Sequence, residues 1–194
     1  MLYGLRDGES VEAFPGDNAT CPLCGQPLIA KCGAVNVWHW AHVASADCDP
    51  WYEQESPWHV EWKSLARQNT REVKFGPHRA DILGKRGVVI ELQHSSISGD
   101  EIAEREAFYG DMIWMFDGTD LEDRLSVRPR GDYVVFRWKH PRKTLALCAA
   151  PVFIDLGWGD ILEIKKVHES PFSGWGYRLS YRDFIDRYLI REAK

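Results

Sequence analysis

Four of the five cysteines lie close together in the first quarter of the chain, interspersed with two histidines. A CPLCG motif supplies Cys21 and Cys24, and His39, His42 and Cys48 follow it. Thiolate and imidazole groups at this spacing are typical ligands of structural zinc, which takes four of them in a tetrahedron. The alternative is a pair of free thiols beside two surface histidines. So many soft ligands in a segment without helical periodicity favour zinc.

The two histidines are alternative candidates for one ligand position in such a site. The HWAH segment has the character of a short strand, in which His39 would lie inside and His42 at the end. A zinc ribbon usually takes its second ligand pair from the turn after a strand. We therefore predict that Cys21, Cys24, His42 and Cys48 bind zinc, with His39 as the alternative to His42.

A second group of candidate residues is acidic. The apolar run 88–93 is interrupted by Glu91 and Gln93, which point to the same face of a strand. Pairing across a Gly84–Gly87 turn would bring Asp81 beside Glu91, where two hard oxygen ligands suit Mg²⁺ or Mn²⁺. The alternative is a solvated acidic face on an edge hairpin.

A local basic run lies further along the chain and includes a tryptophan. Such a run is typical of a patch that contacts phosphate and stacks on unpaired bases, although a lysine- and arginine-rich strand edge is an equal alternative. Its members are Arg137, Trp138, Lys139, His140, Arg142 and Lys143.

The acidic residues require a framework of helices and strands to position them. Ser56 before a proline predicts a helix over 57–68, and Ser98 with Glu101 predicts a capping box that begins a helix ending at Gly110. Between and after these helices the pattern predicts strands at 72–75, 79–83, 88–93 and 112–116. The expected order is therefore helix, three strands, helix, strand.

The flanking segments are predicted to be rich in strands. Residues 1–50 show turns and short extended runs without helical periodicity. Beyond residue 120, Ser180 with Asp183 predicts the start of a final amphipathic helix. The strands expected before it are 133–138, 144–149, 152–156 and 161–167.

Composition limits the classes of function. The 194 residues are 44% hydrophobic and 27% charged and include nine tryptophans, as in a folded globular protein. The net charge of −5 provides no global basic field, so nucleic-acid binding would need a local patch or bound cations. The sequence shows neither a secretory signal nor a membrane-spanning run, so we expect a cytoplasmic protein without a membrane partner.

The predicted order of elements resembles the core of the PD-(D/E)XK nucleases. Their motif would fall on Asp81, Glu91 and Gln93, with Gln93 where lysine is usual. Glutamine can orient a water or a phosphate by hydrogen bonding but supplies no charge. The resemblance thus implies a nuclease fold in which a bound metal carries more of the activation.

The motifs CPLCG, HWAH, RADI and IELQHS occur in the order seen in the competence protein CoiA-like family. Glu55, His59 and Lys63 lie between the second and third motifs, and the Arg105–Tyr109 helix follows the last one. That resemblance covers about residues 20–118 and implies a nuclease-like protein linked to DNA uptake, recombination or mobile elements. It also implies that His59 or Lys63 contacts phosphate and that Glu55 supplies a supporting carboxylate. A solvated helix face is an equal alternative for these three residues.

Taken together, the sequence predicts an α+β protein with an α/β-type core. A zinc-ribbon-like module is expected at 1–50, a nuclease-like core at 51–118, and a strand-rich extension ending in a helix at 119–194. The predicted function is metal-dependent cleavage of DNA, with structural Zn²⁺ and catalytic Mg²⁺ or Mn²⁺. The alternatives are a non-catalytic nucleic-acid-binding or recombination accessory protein and a protein-interaction adaptor. Strand preference and oligomeric state stay open.

Overall fold

The computed structural model describes residues 1–44, 48–121, 123–170 and 172–190. The chain divides into two compact units, of which the first is Met1–Ile82 and the second begins at Leu83. The three segments expected from sequence stay a prediction, and residues 191–194 of the last one lie outside the described part. None of the helices in the described ranges combines the length and the apolar character needed to cross a bilayer.

The first unit begins with a small antiparallel sheet, as predicted for residues 1–50. Its strands are β1 (Tyr3–Arg6), β2 (Glu9–Glu12), β3 (Asn18–Thr20), β4 (Pro27–Lys31) and β5 (His39–His42), in the spatial order β2-β1-β3-β4-β5. Leu28 and Trp40 are fully buried in its core beside Cys21. A Cβ at Gly4 would lie 2.7 Å from Cβ of Ala19, so only glycine fits at this position of β1, beside its neighbour β3.

Helix α1 (Pro57–Leu65) follows in the same unit. Its start is as predicted: Ser56 accepts a hydrogen bond from the backbone N–H of His59, and the His59 ring accepts one from the N–H of Ser56. The helix ends three residues earlier than expected, because Ala66 is extended and residues 68–70 form a 3₁₀ turn. An antiparallel hairpin of β6 (Arg71–Phe75) and β7 (His78–Leu83) comes next.

The second unit contains a mixed sheet. A parallel pair, β8 (Val89–Gln93) and β9 (Met112–Asp117), is joined by helix α2 (Gly99–Tyr109), and every residue of both strands is buried. Burial on both faces is usual for parallel strands. Gly110 ends α2 with a φ of 69°, which favours glycine.

The rest of this sheet comes from the C-terminal part of the chain. Its elements are β10 (Leu125–Arg130), β11 (Tyr133–Trp138), β12 (Val152–Gly157), β13 (Asp160–Glu169), β14 (Phe172–Ser180) and α3 (Tyr181–Tyr188). Within the unit the strand order is β10-β11-β14-β13-β12-β9-β8, and β12 pairs with β9 in parallel. The predicted capping box at Ser180 and Asp183 begins α3.

The mixed α and β content and the order helix, three strands, helix, strand are confirmed along the chain. The predicted strand 144–149 is wrong: residues 143–147 form a 3₁₀ helix in which Leu145 is the one fully buried side chain. A strand there would require buried residues at alternate positions. Strands β10 and β14 escaped prediction because proline in one and glycines in the other weaken the strand signal.

Candidate functional site

The four predicted zinc ligands converge in the first unit. The ligand atoms of Cys21, Cys24, His42 and Cys48 all lie within 4.8 Å of one another. Sγ of Cys21 is 3.6 Å from Sγ of Cys48, and Sγ of Cys24 is 3.3 Å from Nε2 of His42. Tetrahedral zinc with ordinary bond lengths requires about 3.8 Å between two sulfurs and about 3.6 Å between sulfur and nitrogen. The four side chains can therefore hold a zinc ion with small adjustments.

Local structure explains this convergence. Gly25, with a φ of 73°, closes a tight turn in which its N–H bonds to the carbonyl of Cys21, and the N–H of Leu23 bonds to the Cys21 sulfur. His42 is the last residue of β5. His39 is the first residue of that strand, and its Nδ1 lies 2.8 Å from the carbonyl oxygen of Val37. The geometry thus favours His42 over His39.

Without a cation, the thiols of this cluster differ in their tendency to ionise. Burial opposes ionisation of Cys24, but hydrogen bonds from the backbone and from Cys48 and Cys21 lower its pKa. Burial and the neighbouring cysteines raise the pKa of Cys48 to about 12. A bound zinc ion reverses this effect, since it binds the thiolate form and releases protons. The chemistry of the donor set is therefore that of a zinc site.

Asp49 connects this cluster to the hairpin of the first unit. Its Oδ1 lies 2.9 Å from Nδ1 of His78, and its Oδ2 accepts a hydrogen bond of 3.0 Å from the N–H of Arg79. The ring of Trp51 stacks on that of His78. The residue after the candidate ligand Cys48 therefore fixes the start of β7, the strand that carries Asp81.

A cluster of buried charges lies around the lysine of α1. Nζ of Lys63 is 2.9 Å from Glu55, 3.1 Å from Glu72 and 2.9 Å from Asp81, measured to one carboxylate oxygen of each. The side chain of Lys63 is 1% exposed and that of Asp81 is 18% exposed. The structure therefore brings together three predicted site residues, Glu55, Lys63 and Asp81.

The electrostatics of this cluster involve a second cation, the guanidinium of Arg79. Burial alone would lower the pKa of Lys63, but the carboxylates of Asp81, Glu55 and Glu72 raise it well above its usual value. Burial would raise the pKa of Glu72, whereas Arg79 and Lys63 hold it well below its usual value. Burial raises the pKa of Glu55 to about 7, against the opposing effect of Lys63. The nearby cations therefore keep Glu72 ionised, whereas the buried Glu55 readily takes a proton.

Glu72 was not among the predicted site residues. It has a φ of 49° in the middle of β6, and the paired register passes from Arg71 to Val73 around it. Its carboxylate accepts hydrogen bonds from the N–H groups of Leu2 and Tyr3. The left-handed backbone of a glutamate is unfavourable, so the bonds to Lys63 and to β1 must stabilise it.

His59, one turn before Lys63, is part of the helix cap. Its Nδ1 lies 2.8 Å from the Ser56 hydroxyl, and its Nε2 is 3.8 Å from a carboxylate oxygen of Glu53. The side chain is almost fully buried. Its predicted contact with phosphate stays a prediction, and its observed contacts are those of a helix N-terminus.

In the second unit, a pair of charges involves Glu91 on β8. Nη1 of Arg105 on α2 is 2.6 Å from Oε2 of Glu91, and the two side chains are 6% and 3% exposed. The same guanidinium bonds to Glu101, the residue whose N–H is capped by Ser98. Gln93 is also buried on this strand, and its amide donates to the carbonyl of Ser95.

The loop after β8 is stabilised by side chains from elsewhere in the second unit. Arg142 donates hydrogen bonds to the carbonyls of Gln93 and His94. Nδ1 of His94 lies 2.6 Å from Asp117, whose other oxygen accepts from the N–H and hydroxyl of Thr119. Arg142, one member of the predicted basic run, therefore binds backbone of its own chain.

Asp81 belongs to the first unit and Glu91 to the second. Their predicted joint binding of Mg²⁺ or Mn²⁺ stays a prediction. In the described ranges, the group of three or more potential metal ligands found close together is the cysteine and histidine cluster. The charged residues that sequence reasoning missed are Glu72, Arg79 and Arg105. Arg79 carried a signal, since it shares a strand face with Asp81. Arg105 lies in the helix that formed part of the family resemblance.

Residues 9–50 match the family model for the N-terminal domain of competence protein CoiA. The matched range contains all four residues of the cysteine and histidine cluster. The resemblance seen in the sequence is therefore supported for this part of the chain. Neither the curated proteins nor the solved structures provide a significant match.

Proposed function

We propose that this protein is a metal-dependent nuclease that cleaves phosphodiester bonds in DNA during uptake or recombination. The observation that carries the proposal is the placement of charge in the two units. Asp81 and Glu91 lie on consecutive strands in the chain, and each meets a buried cation from a helix of its own unit, Lys63 or Arg105. Burying such groups is costly, which indicates a function beyond stability.

In the proposed site, Asp81 and Glu91 ligate Mg²⁺ or Mn²⁺ through carboxylate oxygens, the ligands these ions prefer. The bound cation supplies Lewis-acid activation of the phosphate and of a water molecule. Gln93 orients the water or the phosphate through its amide. Lys63 adds positive charge beside Asp81, in part replacing the lysine that the nuclease motif usually has at the position of Gln93.

Glu55 supports this arrangement through Lys63. Both oxygens of its carboxylate accept hydrogen bonds from Nζ, at 2.9 and 3.0 Å. These bonds fix the direction of the lysine side chain and thereby the position of its charge relative to Asp81. The CoiA family description, which names competence, supports DNA as the substrate class.

A non-catalytic nucleic-acid-binding role is the second candidate, and a specific observation favours it. Lys63 and Arg105 already neutralise part of the charge on Asp81 and Glu91. A divalent cation therefore competes with two internal ion pairs, which lowers its affinity. A scaffold that kept the buried charges without the chemistry would have the same contacts.

The test is cleavage of supercoiled plasmid and of circular single-stranded DNA by zinc-loaded protein. Mg²⁺ or Mn²⁺ is added in one series and omitted in the other. We expect nicking or degradation only in the presence of the added cation. Protein that binds DNA but is inactive with both metals would refute the nuclease proposal and favour the accessory role.

Matched variants assign the activity to the site. Asp81→Asn and Glu91→Gln keep shape and remove charge, and we expect each to slow cleavage at least about a hundredfold, since a metal ion supplies several kcal/mol. Glu104→Gln, on the exposed face of α2, is the control and should cleave like wild type. Gln93→Ala should slow cleavage less, and Gln93→Lys should retain or raise it.

A further inference from the structure

The C-terminal sheet of the second unit has an exposed face that is both aromatic and basic. Strands β10, β11, β14 and β13 lie side by side, and successive side chains on each point to opposite faces. One face is buried through Val134, Phe136 and Trp138. The opposite one, here named the aromatic–basic face, is formed by Arg128, Tyr133, Arg137, Lys166, Trp175 and Tyr177.

The strand register shows that these residues share one face. Val135 is opposite Arg128 on one side and opposite Trp175 on the other. Trp175 is in turn opposite Lys166. Tyr133, Arg137 and Tyr177 lie two positions from these residues on their strands and therefore on the same side.

The three aromatic rings form a continuous row. Ring centroids of Tyr133 and Trp175 are 5.9 Å apart, and those of Trp175 and Tyr177 are also 5.9 Å apart. Nζ of Lys165 lies 5.9 Å from the centre of the Tyr177 ring. Tyr133 is 43% and Tyr177 39% exposed, so both present ring surface to solvent.

Glycines on the opposite side of β14 place these aromatic residues outward. A Cβ at Gly174 would lie 2.7 Å from the Phe136 ring, and one at Gly176 would overlap the backbone of Glu163. Side chains larger than glycine are therefore excluded from the buried side of this strand at these two positions. The alternating residues Trp175 and Tyr177 are the ones that can be large.

The charge of this face is opposite to that of the whole chain. The protein carries a net charge of −5, yet Arg128, Arg137 and Lys166 are all exposed here. The nearby carboxylate of Glu163 forms ion pairs with Lys165 and Arg187. The face is therefore a local site of positive potential on an acidic protein.

We propose that the aromatic–basic face binds single-stranded DNA. Basic side chains between exposed aromatic rings on a sheet match a flexible strand, whose phosphates take the arginines and whose bases stack on the rings. An acidic peptide would use the charges but not the rings, and a duplex keeps its bases stacked inside. This inference rests on the proposed function only in taking DNA as the partner, and it does not require cleavage.

The proposed DNA-binding surface differs from the one that the basic run around Trp138 suggested. Trp138 is 3% exposed and packs against Phe172, so its predicted stacking on bases is wrong. Arg137 of that run points to the exposed face. The rings available to bases are those of Tyr133, Trp175 and Tyr177.

The test is fluorescence anisotropy with a labelled 20-nucleotide oligo(dT) and a labelled duplex of equal length. Full-length, zinc-loaded protein is used in buffer without Mg²⁺ or Mn²⁺, so that no cleavage occurs. We expect the single strand to bind more tightly than the duplex. Protein that binds neither probe, or that prefers the duplex, would overturn the proposal.

Variants separate the rings from the charges. The double variant Tyr133→Leu/Tyr177→Leu keeps apolar bulk but removes stacking, and it should weaken oligo(dT) binding at least about tenfold. Arg128→Gln and Arg137→Gln should each reduce the slope of log K against log salt by about 0.7. Trp158→Leu, at the fully exposed tip of the β12–β13 turn, is the aromatic control and should bind like wild type.

The outcomes distinguish this inference from the proposed function. Loss of oligo(dT) binding in the tyrosine variant, with an unchanged melting temperature, supports DNA binding by the aromatic–basic face even if wild-type protein cleaves nothing. Wild-type binding by that variant overturns the inference even if the protein is an active nuclease. If the tyrosine double variant has a lower melting temperature than wild type, the double variant Arg128→Gln/Arg137→Gln at the strand surface is tested in its place. Loss of its oligo(dT) binding supports the inference, and wild-type binding overturns it.

Discussion

Replacing Lys63 with methionine tests whether the buried charges of the first unit depend on one ammonium group. Methionine fills much of the same space but leaves Glu55, Glu72 and Asp81 without their central ammonium group. The cationic groups that remain nearby are Arg79 and, beside Glu55 and Glu72, the N-terminal amino group. Breaking a buried ion pair by removing one partner costs about 3–5 kcal/mol. In a chain of this length each kcal/mol of lost stability lowers the melting temperature by about 2–4 °C. We therefore expect the melting temperature to fall by roughly 6–20 °C.

The stability lost on replacing Lys63 with methionine should depend on pH in a defined direction. A carboxyl group whose pKa is raised by folding stabilises the fold below its ordinary pKa and loses that contribution as pH rises through its folded value. Glu55 already has a pKa near 7, and loss of Lys63 raises it further. The difference between wild type and Lys63→Met should therefore be larger at pH 8 than at pH 5.

The assays are thermal melting and urea unfolding, each followed by tryptophan fluorescence at both pH values. The exposed Lys31→Met is the control and should change the free energy of unfolding by less than about 0.5 kcal/mol. Adding Glu55→Gln to Lys63→Met should recover part of the loss, because one unpaired carboxylate is removed. A Lys63→Met protein as stable as wild type at pH 8 would refute this description of the cluster.

Three further predictions concern the zinc ligands and the second ion pair. Elemental analysis should find about one zinc per chain in wild type and in both His39→Ala and Cys32→Ser, but none in His42→Ala; equal zinc in the two histidine variants would exclude the assigned ligand. Removal of zinc by a strong chelator should lower the temperature of the first unfolding transition, since metal binding and folding are coupled. An unchanged transition temperature would show that the N-terminal sheet is stable without metal. Arg105→Met should destabilise the protein by about 3–5 kcal/mol because Glu91 stays buried, and a neutral effect would show that the pair is not needed.

Features set by local chemistry were predictable from sequence. Ser56, Ser98 and Ser180 all act as helix caps, because a cap depends on residues only three positions apart. The spacing of Cys21 and Cys24 similarly predicts a metal knuckle. Each of these signals joins residues that are only three positions apart in the sequence.

Features set by tertiary contacts were not predictable in the same way. The bond of Glu72 to Lys63 joins two elements, and nothing in a glutamate on a strand indicates a left-handed backbone there. The ion pair of Arg105 with Glu91 likewise joins a helix to a strand 14 residues away, which no local pattern indicates. The direction of Trp138, by contrast, was available from its alternation with Val134 and Phe136.

The central claim is that Asp81 and Glu91 bind one divalent cation, and direct titration with Mn²⁺ tests it. Free Mn²⁺ is measured by electron paramagnetic resonance as zinc-loaded protein is added. We predict about one bound Mn²⁺ per chain in wild type and in Glu104→Gln, and loss of that site in both Asp81→Asn and Glu91→Gln. Absence of Mn²⁺ binding in wild type, or equal binding by the two site variants, would contradict the account.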